Sequence, residues 1–512
     1  MYRSDTHIMP FWAENGGFIR GRDPLGIQNS SITVYGRLLP GMTNLTGRIR
    51  YYSFYCWLLD EYDRLSLEKE KQTPQAQYNF IRRAELIMAF LMVIKEPNGT
   101  NVPGSDYATR HKADGSYSII QGADKPGKEL YWDYRSGALG QYYAGSLINL
   151  ELIEIVENYF HIKPKGQKVA EAFRSAIPVN VRTYFLELIR KGTCGWNDFD
   201  KIMSFRLNAL TESSEEWLLL NNLLLERDGD NFKTRDGKSS EKRIESIKLY
   251  LQSKTESVPL NEFPLWIFKN TSPSVDPNSS QFGWFYYYLN ESVHYALSSI
   301  FWAFLFNIEG TISEFDSYLK DFGSEIQKKS EALLGISSED TLKDILELIE
   351  KRSIQDELAD IRGAVKKELP YYAASRSVSL LMMIYNFTES YQEHIKNFEL
   401  NNYIDYQKGN LTEHLDIYIK KNLDTNYREY INQIVKTLIN DHMATAYRKM
   451  GNGEANLLKF LIEDRYIIHV ETIQPRGTTP RLQSLHNFMR DLGYIDREGT
   501  LTGLGWKLLN SM

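Results

Sequence analysis

Apolar positions recur at helical spacing over most of the chain. Between Thr46 and Tyr62, Ile49, Tyr52, Cys56 and Leu59 line one side, and Tyr51, Tyr55, Leu58 and Tyr62 line another. A segment apolar on most sides is a largely buried helix, and Asn44 or Thr46 supplies a residue type suited to its N-cap. A second helix is expected over 75–95. From 179 to 450 the runs WLLLNNLLL, FWAFLFNI, TLKDILELIEKR, SVSLLMMIYNF and YREYINQIVKTLI have helical length and period. Polar stretches bearing Gly, Pro or Ser, at 95–116, 226–243 and 270–281, read as loops between helices. Residues 1–35 are rich in Gly, Pro and Asn and read as irregular.

Two places depart from this rhythm. Over 117–178 a helix at 136–150 is followed by short alternating runs at 152–156 and 159–162. Glu157 and Asn158 separate them, and a last helix starts near Gln167. Over 451–512 a helix is expected at 457–461 and a strand at 466–471. The loop TIQPRGTTPR follows, then a helix at 482–492, a small hairpin turning at Arg497, Glu498 and Gly499, and a closing helix at 506–509. NLELIEI…KPKGQKV and DLGYIDR…LTGLGWKL carry turn residues in matching places, a weak internal similarity. Helix, hairpin and helix at this spacing resembles a winged-helix domain, over about 60 residues at each place. The expected fold class is therefore mainly α: a multi-domain helical body with two small winged-helix-like (α+β) modules. The expected divisions are 1–95, 96–178, 179–450 and 451–512.

Composition narrows the function. Sixty Lys and Arg against 66 Asp and Glu give a net charge of −6, which excludes a generally basic nucleic-acid coat and leaves only local patches. The 33 Tyr, 24 Phe and 9 Trp suit large cores and interfaces. Two cysteines, Cys56 and Cys194, cannot staple 512 residues, so a reducing, cytoplasmic setting is expected. No basic segment followed by an apolar one opens the chain, so no signal peptide is expected. Ser292–Ile308 carries no Asp, Glu, Lys or Arg, but its Ser, His and Asn fit a buried core helix better than a membrane span.

Candidate chemistry is sparse. In the first module the DNA- or partner-binding candidates are Lys163, Lys165 and Lys168, because the helix before the hairpin has no Lys or Arg. In the second they are Arg476, Arg481, His486, Arg490 and Arg497, although 451–512 balances seven Lys and Arg against seven Asp and Glu. Arg48 and Arg50 fall in the first turn of the helix at 46–62, where the helix dipole disfavours cations. A phosphate or a carboxylate, of this chain or another, would offset that cost. Gly122–Lys128 fits G-x-x-x-x-G-K, but Glu129 stands where a hydroxyl should meet magnesium, so a nucleotide site is not expected. Glu463, Asp464, His469 and Glu471, with Asp441 and His442, lack the spacing of a metal-dependent nuclease. Neither cysteine has a catalytic context, and no catalytic residue, cofactor or metal is expected.

The stretch LLPGMTN-T-RIRYYSFYCWLL, about 30 residues near the N-terminus, resembles uncharacterised bacterial proteins encoded in phage-defence gene clusters. The resemblance implies that a partner protein holds the active site. The expected role is a non-catalytic binding subunit that contacts protein partners, and DNA through its modules, without a membrane. The alternatives are a stand-alone DNA-binding transcription regulator and a metal-dependent nuclease whose acids converge only in three dimensions.

Overall fold

Helices account for most of the fold, as the apolar period requires. The computed structural model describes residues 23–65, 73–96, 102–225, 240–349, 353–451 and 457–512. Contacts divide the chain into two units. One comprises Gly36–Phe263 with Thr479–Met512; the other comprises Pro264–Thr478 with the described residues up to Tyr35. The expected module at 451–512 is thereby apportioned between them at Thr478 and Thr479. The fold is mainly α and multi-domain, and its sheets are small and antiparallel. No helix among the described residues is long and apolar enough to cross a membrane.

In the unit Gly36–Phe263 with Thr479–Met512, the helix Arg50–Arg64 is wrapped on nearly every side. It starts later than expected because Thr46 is spent elsewhere. Its hydroxyl donates to the Thr43 carbonyl (2.9 Å) and accepts the Thr43 N–H (3.0 Å), closing a turn in place of capping a helix. Phe54 and Trp57 meet Phe173, Phe185 and Phe205 at ring spacings of 5.2–6.1 Å or, for Phe54 on Phe205, 6.5 Å. The second helix, Pro74–Lys95, matches the expectation: Thr73 caps it by accepting the Ala76 N–H, and Pro74 occupies the first turn. The stretch 95–116 is not wholly a loop. A short helix Ser105–His111 follows Gly104, whose φ of 84° suits glycine, and Ser116–Ser118 pairs with Thr193–Gly195; residues 97–101 lie outside the described residues.

The other unit is built around the helix Ser280–Asn307, capped at its start by Ser279. Its core includes Phe282, Trp284, Phe285 and Trp302, each at most 1% exposed, so the uncharged run at 292–308 is a core helix, as expected. The loop 270–281 becomes helical at Ser280. In the other unit's loop at 226–243, residues 226–239 lie outside the described residues, and Ser240–Thr255 is already helix.

The helix expected at 457–461 is instead a strand. Phe460–Glu463 pairs with Tyr466–His469 across Asp464 and Arg465, whose φ values of 46° and 75° make a tight hairpin turn. Ile312–Glu314 adds a third strand on the far side of Tyr466–His469. The cause of the difference is tertiary: Phe460 is buried against His442 and Phe304, and the strand it pairs with, Tyr466–His469, is flanked on its far side by Ile312–Glu314 from far upstream.

His442 fixes this corner through both ring nitrogens. Nε2 accepts the Lys459 N–H (3.1 Å), so Nδ1 carries the hydrogen and donates to the Pro24 carbonyl (2.9 Å). Burial lowers its pKa to about 4, with Lys459 and Lys449 adding to the effect against the Pro24 bond. Because the folded value lies below the unfolded one near 6.5, the unfolded chain binds the extra proton between them. This contribution is fully present above pH 6.5 and is lost as pH falls towards about 4. Chemical unfolding at pH 7.5, 6 and 5 should show falling stability. His442→Gln should be destabilised by about 1–3 kcal/mol at pH 7.5 and show a shallower decline; an equally steep decline in the variant would refute the assignment.

Candidate functional site

The two helix–hairpin–helix stretches carry the same local bonds. The helix Ala144–Asn149 ends with Leu150 N–H on Ser146 O (3.0 Å), Glu151 N–H on Ile148 O (3.0 Å) and Leu152 N–H on Leu147 O (2.9 Å). The helix Leu482–Asp491 ends with Leu492 N–H on Phe488 O (3.0 Å), Gly493 N–H on Arg490 O (3.0 Å) and Tyr494 N–H on Met489 O (2.9 Å). Both ends are Schellman turns through a left-handed residue, Glu151 at φ 59° and Gly493 at φ 81°. The return strands then close on the same carbonyls: Lys163 N–H on Leu152 O (2.9 Å) and Thr502 N–H on Tyr494 O (3.1 Å). In each following helix a glycine passes so close that an added Cβ would lie 2.1 Å from that carbonyl, Gly166 over Leu152 and Gly505 over Tyr494.

The hairpins between them differ. In the first copy Ile153–Val156 pairs with Tyr159–Ile162, and Glu157 and Asn158 sit at φ 50° and 67°, the two-residue turn that the sequence suggests. The helix after it begins at Pro164, ahead of the expected Gln167, because proline at the first position is pre-set for a helix. In the second copy the hairpin is reduced to the bridge Ile495–Leu501, turned at Gly499, and the closing helix spans Gly503–Ser511.

A ribbon from Leu39 to Ile49 runs between the two copies. Thr43 donates its hydroxyl to Tyr142 O (3.3 Å) and offers its carbonyl to Ser484 Oγ (2.6 Å). Beyond it, the arginine pair meets the anions that the helix dipole called for, and both are carboxylates of this chain. Arg48 Nε lies 2.9–3.0 Å from both Asp491 oxygens, and Asp491 also accepts the Ile49 N–H (3.2 Å), so it caps the helix Arg50–Arg64 from far along the chain. Arg50 forks onto Glu216 (2.9 and 3.1 Å) and donates to the Ser204 carbonyl (2.9 Å), while Ser53 donates to Glu216 (2.6 Å). Arg48 and Arg50 are 5% and 2% exposed. They face inward, so of the anions open to them, a phosphate or a carboxylate of this chain or another, this structure pairs them with carboxylates of this chain. Burial pushes the Asp491 carboxyl above the usual range, while Arg48 and the Ile49 N–H draw it back.

The other candidates differ in burial and partners. Arg481 donates to Leu39 O (2.8 Å), tying down the carbonyl end of Asn29–Leu38. His486 Nδ1 meets Tyr250 OH (2.7 Å), and burial, then Lys254 and Arg490, lower its pKa to about 4. Lys163, Lys165 and Arg490 are half-buried; Lys168, Arg476 and Arg497 are exposed. Arg476 belongs to the other unit, so the structure does not gather the five second-module candidates into one unit.

The remaining chemistry is spread apart. Gly122 lies inside the short helix Ile119–Ala123, and no helix follows Gly127, so the phosphate-loop lookalike has no helix N-terminus to offer. Its tail lines a cleft of about 770 Å³ with Tyr107, Tyr117, Asp114, Asp124 and Glu129, where carboxylates would repel phosphate. Asp124 is in any case paired with Arg83. His469 bonds Thr472 (2.8 Å), Glu471 takes Lys459 (2.6 Å) and Asp441 takes Lys408 (2.7 Å). Among the described residues no group of three or more His, Cys, Asp or Glu could hold a metal ion. Cys56 and Cys194 are buried free thiols, and burial pushes Cys194 up to about 12.

Sequence reasoning missed Gln77, which closes the outer edge of Tyr159–Ile162. Its side-chain amide donates to Phe160 O (2.8 Å) and accepts the Phe160 N–H (2.9 Å), as a neighbouring strand would. Nor did the sequence signal the exposure of Ile155 and Val156, 48% and 47%, in the first hairpin strand. A lone glutamine in a helical run carries no local sign of such a role.

Two measurements test this account. Gly→Ala inside an ordinary helix stabilises by about 1 kcal/mol, but G166A and G505A should each lower the melting temperature, because the added carbon meets a carbonyl. Asp491→Ala should cost about 3–5 kcal/mol by stranding Arg48, and the double change R48M/D491L should recover most of it. Calorimetry showing no loss in either glycine variant, or no recovery in the double variant, would contradict the packing. No protein-family model matches the chain, and neither a curated protein nor a solved structure does.

Proposed function

We propose that the protein is a non-catalytic binding subunit of a bacterial cytoplasmic assembly of the phage-defence kind, and that it contacts a partner protein through winged-helix modules. The observation that carries this reading is the pairing of a repeated helix–hairpin–helix framework with an exposed, apolar and acidic hairpin. Glu154, Ile155, Val156 and Glu157 are exposed at its tip. His469, Glu471 and Asp441 are meanwhile engaged in internal bonds, and Cys56 and Cys194 are buried. The N-terminal sequence pattern is what links the chain to phage defence.

Charge favours protein over DNA at the first hairpin. A wing that meets a duplex lies against phosphates and needs cations there; this tip carries Glu154 and Glu157. In the second copy Arg481 and His486 are held by Leu39 and Tyr250, while Arg465, Arg476, Arg497 and Lys507 of the stretch 451–512 are exposed.

The chain should be recovered from its own cells with and without nuclease, and its companions read by mass spectrometry. The expected result is a stoichiometric protein companion that survives nuclease treatment. Anisotropy of a labelled duplex should show no tight binding that weakens steeply from 50 to 200 mM salt. Recovery of the chain alone, together with cleavage of plasmid that is lost on adding EDTA, would overturn the proposal.

A further inference from the structure

The first hairpin has two edges, and only one is closed. A two-residue turn makes Val156 and Tyr159 a hydrogen-bonded pair, so the pairs alternate along the ladder. Glu154 with His161 is then bonded, whereas Ile155 and Phe160 direct their N–H and C=O groups outward. The Lys163 N–H on Leu152 O fits the same register. On one edge, Phe160 is satisfied at both groups by Gln77, which is buried, and Tyr78 OH takes the Asn158 carbonyl beside it. On the other, neither outward group of Ile155 has a hydrogen-bond partner among the described residues.

The open edge has a definite chemistry. Ile155 and Val156 are about half exposed there, flanked by exposed Glu154 and Glu157. The strand Ile153–Val156 itself holds no Lys or Arg. An unpaired strand edge is a template for another strand, and strand addition draws affinity from main-chain bonds and selectivity from the side chains along the edge. Two acidic tips of identical chains would repel, and a duplex backbone would be repelled more strongly.

We infer that the outer edge of Ile153–Val156 receives an extended segment of a partner protein that alternates apolar and basic residues. The segment pairs its backbone with Ile155, packs an apolar side chain beside Ile155 on one face, and sets its cations against Glu154 on the opposite face and Glu157 at the turn. This rests on the protein-binding reading above and gives it a place and a ligand class.

The test uses the full chain and a labelled short peptide that alternates lysine and valine, with its glutamate-for-lysine counterpart as the second probe. Fluorescence polarisation should show the basic peptide binding about tenfold or more tightly than the acidic one. Hydrogen exchange should slow at the Ile155 amide, which is free in the unbound chain. Ile155→Pro removes the outward N–H at an edge position where proline is tolerated, and should weaken the basic peptide about tenfold. The double change E154K/E157K alters exposed side chains outside the ladder bonds and should invert the preference, which keeps the test decisive if the proline variant folds poorly. Equal binding of the two peptides, absence of binding, slowed exchange elsewhere but not at 153–156, or self-association that I155P abolishes would each overturn the inference. A native companion that persists in E154K/E157K would also overturn it, while leaving the binding-subunit reading intact.

Discussion

The helix Arg50–Arg64 begins with charges of the wrong sign for its own dipole, and the unit that contains it is organised around repairing that. Asp491 and Glu216 come from distant parts of the chain to lie against Arg48 and Arg50, and both pairs are almost fully buried. Desolvation cancels much of what such pairs gain, so they add little net stability, whereas removing one partner is costly. Their effect is to permit one arrangement. The ribbon Leu39–Ile49 cannot shift without stranding Arg48, the helix Leu482–Asp491 cannot shift without uncapping Ile49, and Glu215–Leu225 cannot shift without releasing Arg50. Arg243 adds a fourth tie, donating to the Leu224 and Pro40 carbonyls (2.9 and 3.1 Å).

The other unit ties its segments through hydrogen bonds to one helix. On the helix Ser280–Asn307, Asn290 donates to the Ser30 and Ser31 hydroxyls (2.9 and 3.0 Å). His294 donates through Nε2 to the Gly409 carbonyl (2.9 Å), and Glu291 accepts the Thr478 N–H (2.6 Å). One face of one helix thus holds the start of the helix Asn29–Leu38 and two turn or loop segments, at Gly409 and Thr478. Ser31 stands near His294 and Glu291, but its hydroxyl is fully buried and His294 Nε2 is taken by a carbonyl, so the trio pins the backbone and has no access to substrate. Polar networks of this sort specify a single packing because each unmade bond inside the core is expensive.

What could be read in the sequence was whatever local chemistry dictates. Glu157 and Asn158 marked the first hairpin turn, the apolar period marked the long helix over 75–95, and NLELIEI beside DLGYIDR marked the matching turns of the two copies. The requirement for an anion beside Arg48 and Arg50 was legible from the dipole alone, but the identity of that anion was not, because nothing near Asp491 in sequence points back to Ile49. Phe460 failed for the same reason: a short apolar run takes strand or helix form according to its neighbours, and its sheet draws on Ile312–Glu314. The basic residues of the second module were read as a surface set. Arg481 and His486 turned inward because a carbonyl end and a tyrosine hydroxyl needed donors or acceptors there.

The two helix–hairpin–helix stretches share a frame and differ in what surrounds it. The second is locked in on several sides: Trp217 donates to the Leu492 carbonyl (3.1 Å), Tyr494 OH to Asn221 (2.6 Å), and Asp491 is committed to Arg48. Its hairpin has shrunk to one bridge, which leaves almost no strand edge. The first copy keeps a full hairpin, closes the edge nearer the core with Gln77 and leaves the other open beside Ile155. Open apolar edges invite aggregation, and proteins normally blunt them. Here the edge is held to four residues and flanked by acids, which limits pairing with other copies of the same chain. The two edges of one hairpin thus obey different rules: one is satisfied by the chain's own side chains, and the other is left open but kept short and acidic.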